Sequence, residues 1–168
     1  AKDLNIEMDH SKIVVQGYGN VGSWAAHFLD QSGCNVVAVS DVNGGIHNSQ
    51  GLDLAQLKTH MDSTGTVIGF KGAEDITNDA LLEMECDFLV PAALGGAIHI
   101  GNAAKIRARM VVEGANNPVT PGGEAILNDR GVPCLPDLLV NAGGVTVSYF
   151  EWVQNIQRFP WDLDRVNG

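Results

Sequence analysis

A glycine-rich segment, residues 17–22 (GYGNVG), stands between an apolar run and a stretch with helical periodicity. Its GxGxxG spacing, after a strand and at the opening of a helix, is typical of loops that bind the pyrophosphate of a dinucleotide. In such a loop Gly17 makes the tight turn, Gly19 lets the backbone approach the phosphates, and Gly22 lets the helix pack closely on the strand. The phosphates then lie on backbone amides at the positive end of the helix, without cationic side chains. The alternative interpretation is an ordinary strand–helix turn that is rich in glycine.

Asp41 is the second candidate, 19 residues after Gly22 and directly after another apolar run. At this position an acidic side chain accepts hydrogen bonds from a ribose 2′-hydroxyl, which favours NAD over NADP as the cofactor. Residues 42–50 contain no lysine or arginine to hold a 2′-phosphate, and this absence also favours NAD. The alternative is an aspartate that serves only its turn, where this residue type is common.

Composition narrows the class of protein. A chain of 168 residues with a formal net charge of −10 is expected to form one domain and to bind no nucleic acid, since nucleic-acid binding needs a positive surface. Three cysteines without a CxxC pair and five scattered histidines predict neither a disulfide framework nor a metal site. No apolar run approaches about 18 residues and no signal peptide opens the chain, so we expect a cytoplasmic protein with no membrane partner.

Short apolar runs alternate with helical patterns along the chain. This alternation predicts an α/β fold, a doubly wound parallel sheet of the Rossmann-like kind. The runs are uninterrupted, as in strands that are buried on both faces. The predicted strands are Ile13–Val15, Val36–Val39, Phe88–Val90, Met110–Val112 and Val132–Leu135.

Helices are predicted between these runs from apolar periodicity and from start signals. They are a helix with the apolar stripe Val21, Trp24, Ala25, Phe28 and Leu29 that ends near Gly33, a helix containing Leu54, Leu57 and Met61, a helix from the N-cap Thr77 through Met84, a helix that starts at Thr120–Pro121, and an aromatic-rich helix over residues 145–157. Residues 1–11 are polar, and no closing element is predicted after Pro160. We therefore interpret residues 1–168 as a single dinucleotide-binding domain excised from a longer protein.

Five segments resemble the cofactor domain of the glutamate, leucine, phenylalanine and valine dehydrogenases, and most closely the glutamate members. They are residues 16–22 (QGYGNVG), 36–44 (VVAVSDVNG), 87–94 (DFLVPAAL), 112–118 (VEGANNP) and 141–157 (NAGGVTVSYFEWVQNIQ). Together these segments span nearly the whole chain. The last is the most specific, because a chance match of that length is negligible.

The resemblance implies a two-domain homo-oligomer, a hexamer, that converts an L-amino acid reversibly to a 2-oxo acid and ammonia. NAD would lie across the carboxyl ends of the parallel strands, with the amino-acid substrate in the cleft against the other domain. The resemblance also implies that Asn20, with its neighbour Val21, contacts the dinucleotide at the glycine loop. Ala92 and Ala93 would end a strand and leave room for the adenosine, whereas the alternative for both is core packing.

Three polar residues are implied to act nearer the reacting end of the cofactor. Asn116 and Asn141 would end later strands and bind the nicotinamide ribose and the reactive end of the cofactor. Ser148, at the start of the aromatic helix, matches the residue that binds the side-chain carboxylate of the substrate, which favours glutamate. Each has an alternative: Asn116 as a turn residue, Asn141 as the cap of the last helix, and Ser148 as a solvated surface hydroxyl.

The chain departs from the family pattern at two places. Gly95-Gly96-Ala97 stands where members often carry a polar triplet, and Val42-Asn43 is neither the Ser-Lys of NADP users nor a second acid. The catalytic lysines and aspartate of the family lie in glycine-rich motifs of the other domain, and no segment here matches them. We therefore predict no catalytic residue in this chain, which would bind the cofactor without turnover.

Other functions share some of these features. A cofactor domain of a leucine, valine or phenylalanine dehydrogenase would keep the same glycine loop. A stand-alone NAD-sensing module would also keep it, but has no reason to keep residues 141–157. A methyltransferase would bind S-adenosylmethionine with a glycine-rich loop and an acid after the second strand, but it usually lacks the GxGxxG spacing.

Overall fold

The computed structural model describes residues 6–167, which form seven strands and seven α-helices. The strands are β1 (Lys12–Gln16), β2 (Asn35–Asp41), β3 (Gly44–His47), β4 (Glu74–Ile76), β5 (Cys86–Pro91), β6 (Ala108–Val112) and β7 (Cys134–Leu135). The helices are α1 (Asn20–Gln31), α2 (Leu54–Thr64), α3 (Asn78–Leu82), α4 (Pro121–Asp129), α5 (Asp137–Val140), α6 (Ala142–Gln157) and α7 (Leu163–Asn167).

All seven strands form one sheet in the order β4-β3-β2-β1-β5-β6-β7. Strand β1 pairs in parallel with β2 and β5, and the parallel series continues through β6 to β7. The chain runs from β1 to β2 on one side and later crosses to β5 on the other side of β1. The strand order therefore reverses between β1 and β5, and in such sheets ligands bind at the carboxyl ends of the strands beside that point. The predicted α/β parallel-sheet fold is confirmed.

The core lies on both faces of the sheet. Ile13 and Val15 of β1 pack in a cluster that contains Ala26 of α1 and Leu57 of α2. Val14, between them, packs on the opposite face in a cluster with residues of α3 and α4. Because helices cover both faces of the sheet, the residues of β1 that point to either face are apolar. This explains the uninterrupted apolar runs in the sequence.

The predicted helix starts are confirmed by their caps. The Thr77 hydroxyl accepts a hydrogen bond from the Ala80 amide at 3.1 Å, and the Thr120 hydroxyl accepts one from the Gly123 amide at 3.2 Å. These caps satisfy amides that have no partner within the helix. The helix after Thr77 ends at Leu82, two residues before the predicted end.

Several predicted bounds are wrong. The antiparallel strands β3 and β4 were not predicted, and the last strand contains only Cys134–Leu135. Helix α6 begins at Ala142, three residues before the predicted start, and α7 follows Pro160, where no element was predicted.

None of the described helices is long and apolar enough to cross a membrane. Of the polar segment 1–11, residues 1–5 lie outside the described residues.

Helix α1 ends at Gln31, close to the predicted end near Gly33, but most of the predicted apolar stripe is not its buried face. Gly22 and Ala26 are the buried residues of α1. Val21, Trp24 and Phe28 are 52%, 60% and 58% exposed. Close packing of α1 on the sheet uses these small residues. Leu29 of the stripe packs against the core, partly buried, whereas Val21, Trp24 and Phe28 point away from it.

Candidate functional site

The three glycines of the motif differ in the space that a side chain would have at each position. Gly17, directly after β1, has a φ of +91°, and a Cβ there would lie 2.8 Å from the Cβ of Ala93. A Cβ at Gly22 would lie 1.7 Å from the carbonyl oxygen of Gly17, so α1 approaches the turn too closely for any side chain. A Cβ at Gly19 would meet nothing within 4 Å. The turn and the helix packing thus require two of the glycines, whereas Gly19 faces open space.

The loop is held by a buried hydroxyl that the sequence analysis missed. Ser40 of β2 is fully buried, and its Oγ accepts a hydrogen bond from the Gly17 amide at 3.3 Å. Helix α1 starts at Asn20, has no side-chain cap and has no acidic residue in its first turn. Its first amides therefore have no partner within the helix and lie at its positive end. A small polar residue inside the apolar run VVAVS was the only local signal for Ser40.

The carboxyl ends of β1 and β5 lie side by side at the reversal of strand order. The Ala92 amide donates to the Gln16 carbonyl at 2.8 Å, which joins the end of β5 to the start of the glycine loop. Ala92 is half-buried and packs against the core, whereas Ala93 is exposed. Core packing therefore describes Ala92 only, and Ala93 lies beside Gly17 at the open end of the sheet.

Asp41, the last residue of β2, is held by the adjacent turn and by the loop after α2. Its Oδ1 accepts from the Asn43 amide at 2.7 Å, and its Oδ2 accepts from the Thr66 hydroxyl at 2.7 Å and from the Val67 amide at 2.8 Å. Partial burial would raise the pKa of Asp41, but hydrogen bonds, chiefly those from Thr66, Val67 and Asn43, outweigh it and hold the pKa below its usual value. The carboxylate is therefore charged and fixed in orientation at neutral pH.

Asn116 and Asn141 meet in space although they are 25 residues apart. The Asn141 Nδ2 donates to the Asn116 Oδ1 at 2.8 Å. Neither residue ends a strand, contrary to expectation: Asn116 lies in the loop after β6, and Asn141 lies between α5 and α6. Asn141 makes no side-chain cap bond to α6, so the alternative of a simple helix cap does not apply.

Two further hydrogen bonds join the segment after β6, which carries Asn116, to the start of α5, which precedes Asn141. Glu113, 8% exposed, accepts from the Asp137 amide at 3.0 Å, and the Asp137 carboxylate accepts from the Asn117 amide at 2.8 Å. Burial raises the pKa of Glu113, and the nearby charges of Asp137 and Glu124 raise it further, against the hydrogen bond from the Asp137 amide, which lowers it. Glu113 has no local signal in the sequence, because its partner lies 24 residues away.

We expect Glu113→Gln to stabilise the chain at neutral pH. The amide oxygen of glutamine can accept the same bond from Asp137 without a buried charge. Because the folded state raises the pKa of Glu113, its contribution to stability is present below about pH 4 and is lost as the pH rises through the folded-state pKa. The gain in the free energy of unfolding should therefore grow between pH 4 and pH 7, as measured by urea unfolding. Glu151→Gln, at an exposed carboxylate of α6, is the control. A gain that is equal at both pH values would contradict this account.

Ser148 lies on α6, in the second turn and not at the start of the helix as predicted. It is exposed, and its Oγ donates to the Gly144 carbonyl at 3.0 Å. Such a bond to the preceding turn is optional for a serine, because the carbonyl already accepts within the helix. The hydroxyl can thus turn towards an external acceptor. Among the described residues, no group of three histidine, cysteine or acidic side chains is placed to hold a metal ion.

A mostly parallel sheet whose strand order reverses beside a GxGxxG turn defines a domain of the Rossmann type. The family model of the glutamate/leucine/phenylalanine/valine dehydrogenases matches residues 1–168. The chain belongs to this family, as the five quoted segments predicted.

Similar proteins are glutamate dehydrogenases. The chain is 54% identical over 166 residues to glutamate dehydrogenase of Thermotoga maritima and 52% identical over 165 residues to the NADP-specific glutamate dehydrogenase A1 of Halobacterium salinarum. Each alignment covers 98% of this chain and 40% of the relative. The crystal structure of the hetero-hexameric glutamate dehydrogenase of Thermus thermophilus, in its Leu-bound form, matches with a TM-score of 0.90 at 34% identity, over 99% of this chain and 39% of that one. The chain thus spans about two fifths of the length of these relatives.

Proposed function

We propose that this chain is the cofactor domain of an NAD-dependent glutamate dehydrogenase, which converts L-glutamate reversibly to 2-oxoglutarate and ammonia. The observation that carries the proposal is the open space over Gly19, at the uncapped start of α1 and beside the reversal of strand order. Because the chain spans about 40% of its curated relatives, we place the catalytic lysines and most of the substrate site outside residues 1–168.

The residues at the glycine loop fit a dinucleotide. The pyrophosphate would lie over Gly19 against the first amides of α1, where no acidic side chain in the first turn repels it. Asn20 and Val21 begin α1 and would line that contact, and the small Ala92 and Ala93 would leave room for the adenosine. When bound, the nicotinamide supplies the acceptor or donor of the hydride. The residues of this chain bind and orient the cofactor.

Asn116 and Asn141 are proposed to position the reactive end of the cofactor. Their mutual hydrogen bond at 2.8 Å leaves each amide with a free donor or acceptor, so the pair can bind ribose hydroxyls or the carboxamide. Ser148 is proposed to donate to the side-chain carboxylate of glutamate. Its exposure and its exchangeable bond to Gly144 support this role.

The exposed apolar side chains on one face of α6 are evidence that a second domain packs against this helix in the complete enzyme. Val145, Tyr149, Trp152 and Ile156 recur at intervals of three or four residues and are 75%, 56%, 57% and 62% exposed. A stripe of this kind on a 16-residue helix usually packs against another element. We propose that the substrate domain covers it in the complete enzyme, and that this enzyme is a homo-oligomer. The hetero-hexameric Thermus relative supports the oligomeric assembly, but not the identity of the subunits.

Binding of NADH to the 168-residue chain tests the proposal. We expect NADH to bind weakly, with a Kd in the high micromolar to millimolar range, because Ala93 and Asn116 are exposed and no second domain closes over the nicotinamide. Glutamate should not be oxidised by this chain alone. The measurement is calorimetry together with NADH fluorescence, with S-adenosylmethionine as the control ligand. No binding at millimolar NADH would overturn the proposal.

We further expect NADH to bind about tenfold more tightly than NADPH, since a partly screened charge repulsion between Asp41 and a 2′-phosphate costs about 1.4 kcal/mol. Asn43→Lys would place a cation at the exposed β2–β3 turn, next to Asp41, and should raise the affinity for NADPH about fivefold. Asn43→Gln, which adds length without charge, is the matched control. If both substitutions change NADPH binding equally, the charge at this turn does not select the cofactor.

A further inference from the structure

Thr66 lies in the loop between α2 and β4, and its hydroxyl makes three hydrogen bonds. It donates to the Asp41 Oδ2 at 2.7 Å, accepts from the Asn43 Nδ2 at 3.1 Å and accepts from the Ile68 amide at 3.3 Å. One donor and two acceptors are the whole capacity of a hydroxyl. The Asn43 and Ile68 donors therefore leave the proton of Thr66 directed at Asp41.

The same hydroxyl orients both polar side chains of the β2–β3 turn. The Asp41 Oδ2 accepts from Thr66 and from the Val67 amide, so the free acceptor capacity of this carboxylate is mainly on Oδ1, which also accepts from the Asn43 amide. The Nδ2 of Asn43 points to Thr66 and is not available to donate elsewhere through that hydrogen. A 2′-phosphate at this turn would meet a fixed carboxylate and an amide donor that is already engaged.

We propose that Thr66 is a positioning residue that sets the discrimination between NAD and NADP by fixing Asp41 and Asn43; this inference rests on the proposed function. Without its hydroxyl the Asp41 carboxylate can rotate away from the ribose site. The Asn43 amide then becomes free to donate to a 2′-phosphate. Both changes favour NADPH relative to NADH.

The test compares the dissociation constants of NADH and NADPH in the 168-residue chain and its variants. Thr66→Val removes the hydroxyl with little change of shape, and the NADPH-to-NADH ratio of Kd should fall about fivefold, the equivalent of one ordinary hydrogen bond. Thr66→Ser keeps the hydroxyl and should keep the ratio within about twofold of the wild type. Thr64→Val is the control for support of the loop, because the Thr64 hydroxyl, at the end of α2, bonds the His60 carbonyl and the backbone carbonyl and amide of Thr66 but not Asp41. Its ratio should not change.

The outcomes separate the inference from the proposed function. A ratio that is unchanged in Thr66→Val, with or without a lower Tm, would overturn the inference alone, since Thr66 would then only support the loop. An equal fall in Thr66→Val and Thr64→Val would overturn it as well. If valine prevents folding, Thr66→Ala gives the same comparison with a smaller side chain. Failure of the wild-type chain to bind either cofactor would overturn the proposed function together with this inference.

Discussion

Replacing Gly22 with alanine should destabilise the chain by about 2–3 kcal/mol, because overpacking at a rigid contact costs about that much. The added Cβ would lie 1.7 Å from the Gly17 carbonyl oxygen and 3.2 Å from a methyl group of Val15. Neither neighbour is the flexible end of a side chain, so α1 itself must move away from β1. We expect a fall in Tm of about 5–10 °C for a chain of this size.

Gly19→Ala provides the matched comparison within the same loop. A Cβ at Gly19 meets nothing within 4 Å, and its φ of −85° is open to alanine. The Tm should therefore change by no more than about 2 °C, as expected for a loss of a few tenths of a kcal/mol. The methyl group would stand where the pyrophosphate approaches, and NADH affinity should fall at least about tenfold, the equivalent of 1.4 kcal/mol.

Thermal unfolding and NADH titration of both variants check these expectations. The proposed division of roles requires that Gly22→Ala acts mainly on stability and Gly19→Ala mainly on cofactor binding. A Gly19→Ala chain that binds NADH as tightly as the wild type would show that the dinucleotide does not lie over this loop. An unchanged Tm in Gly22→Ala would show that α1 can shift without loss.

In the proposed two-domain enzyme, Ser148→Val should lower kcat/KM for glutamate about ten- to a hundredfold. The Ser148 hydroxyl can exchange its 3.0 Å bond to Gly144 for the substrate carboxylate. A charge-assisted hydrogen bond of this kind contributes about 1.5–3 kcal/mol, and each 1.4 kcal/mol corresponds to tenfold in rate. A valine leaves that carboxylate without a partner, yet it can contact an apolar substrate. Activity towards leucine or norvaline should therefore fall much less.

Steady-state kinetics with glutamate and with leucine check this prediction. Thr146→Val is the control, because the Thr146 hydroxyl bonds the Ala142 carbonyl in the same way and lies two residues away on a different face of α6. Equal losses for both substrates in Ser148→Val would mean that the serine serves the helix, and the preference for glutamate would lose its support in this chain.

The sequence predicted those parts of the structure that depend on residues close to one another along the chain. Uninterrupted apolar runs predicted strands β1, β2, β5 and β6, since a strand covered on both faces has no polar side. Threonine before a helical pattern predicted the caps at Thr77 and Thr120, because a cap bonds an amide three residues ahead. The GxGxxG spacing likewise predicted the tight turn at Gly17. In the structure Gly17 has a positive φ, a conformation in which glycine is not strained.

Only the tertiary structure decided which distant groups meet. Strands β3 and β4 have few residues and escaped prediction, since their pairing on β2 rather than their own pattern defines them. The helical stripe of α1 predicted a helix but not its buried face, because the close approach to β1 selects Gly22 and Ala26. The Thr66 hydroxyl that holds Asp41, the Asn141 amide that holds Asn116 and the Asp137 amide that holds Glu113 are 24 or 25 residues away in sequence. Periodicity reports the environment of one element, whereas these hydrogen bonds depend on how the ends of several strands come together at one edge of the sheet.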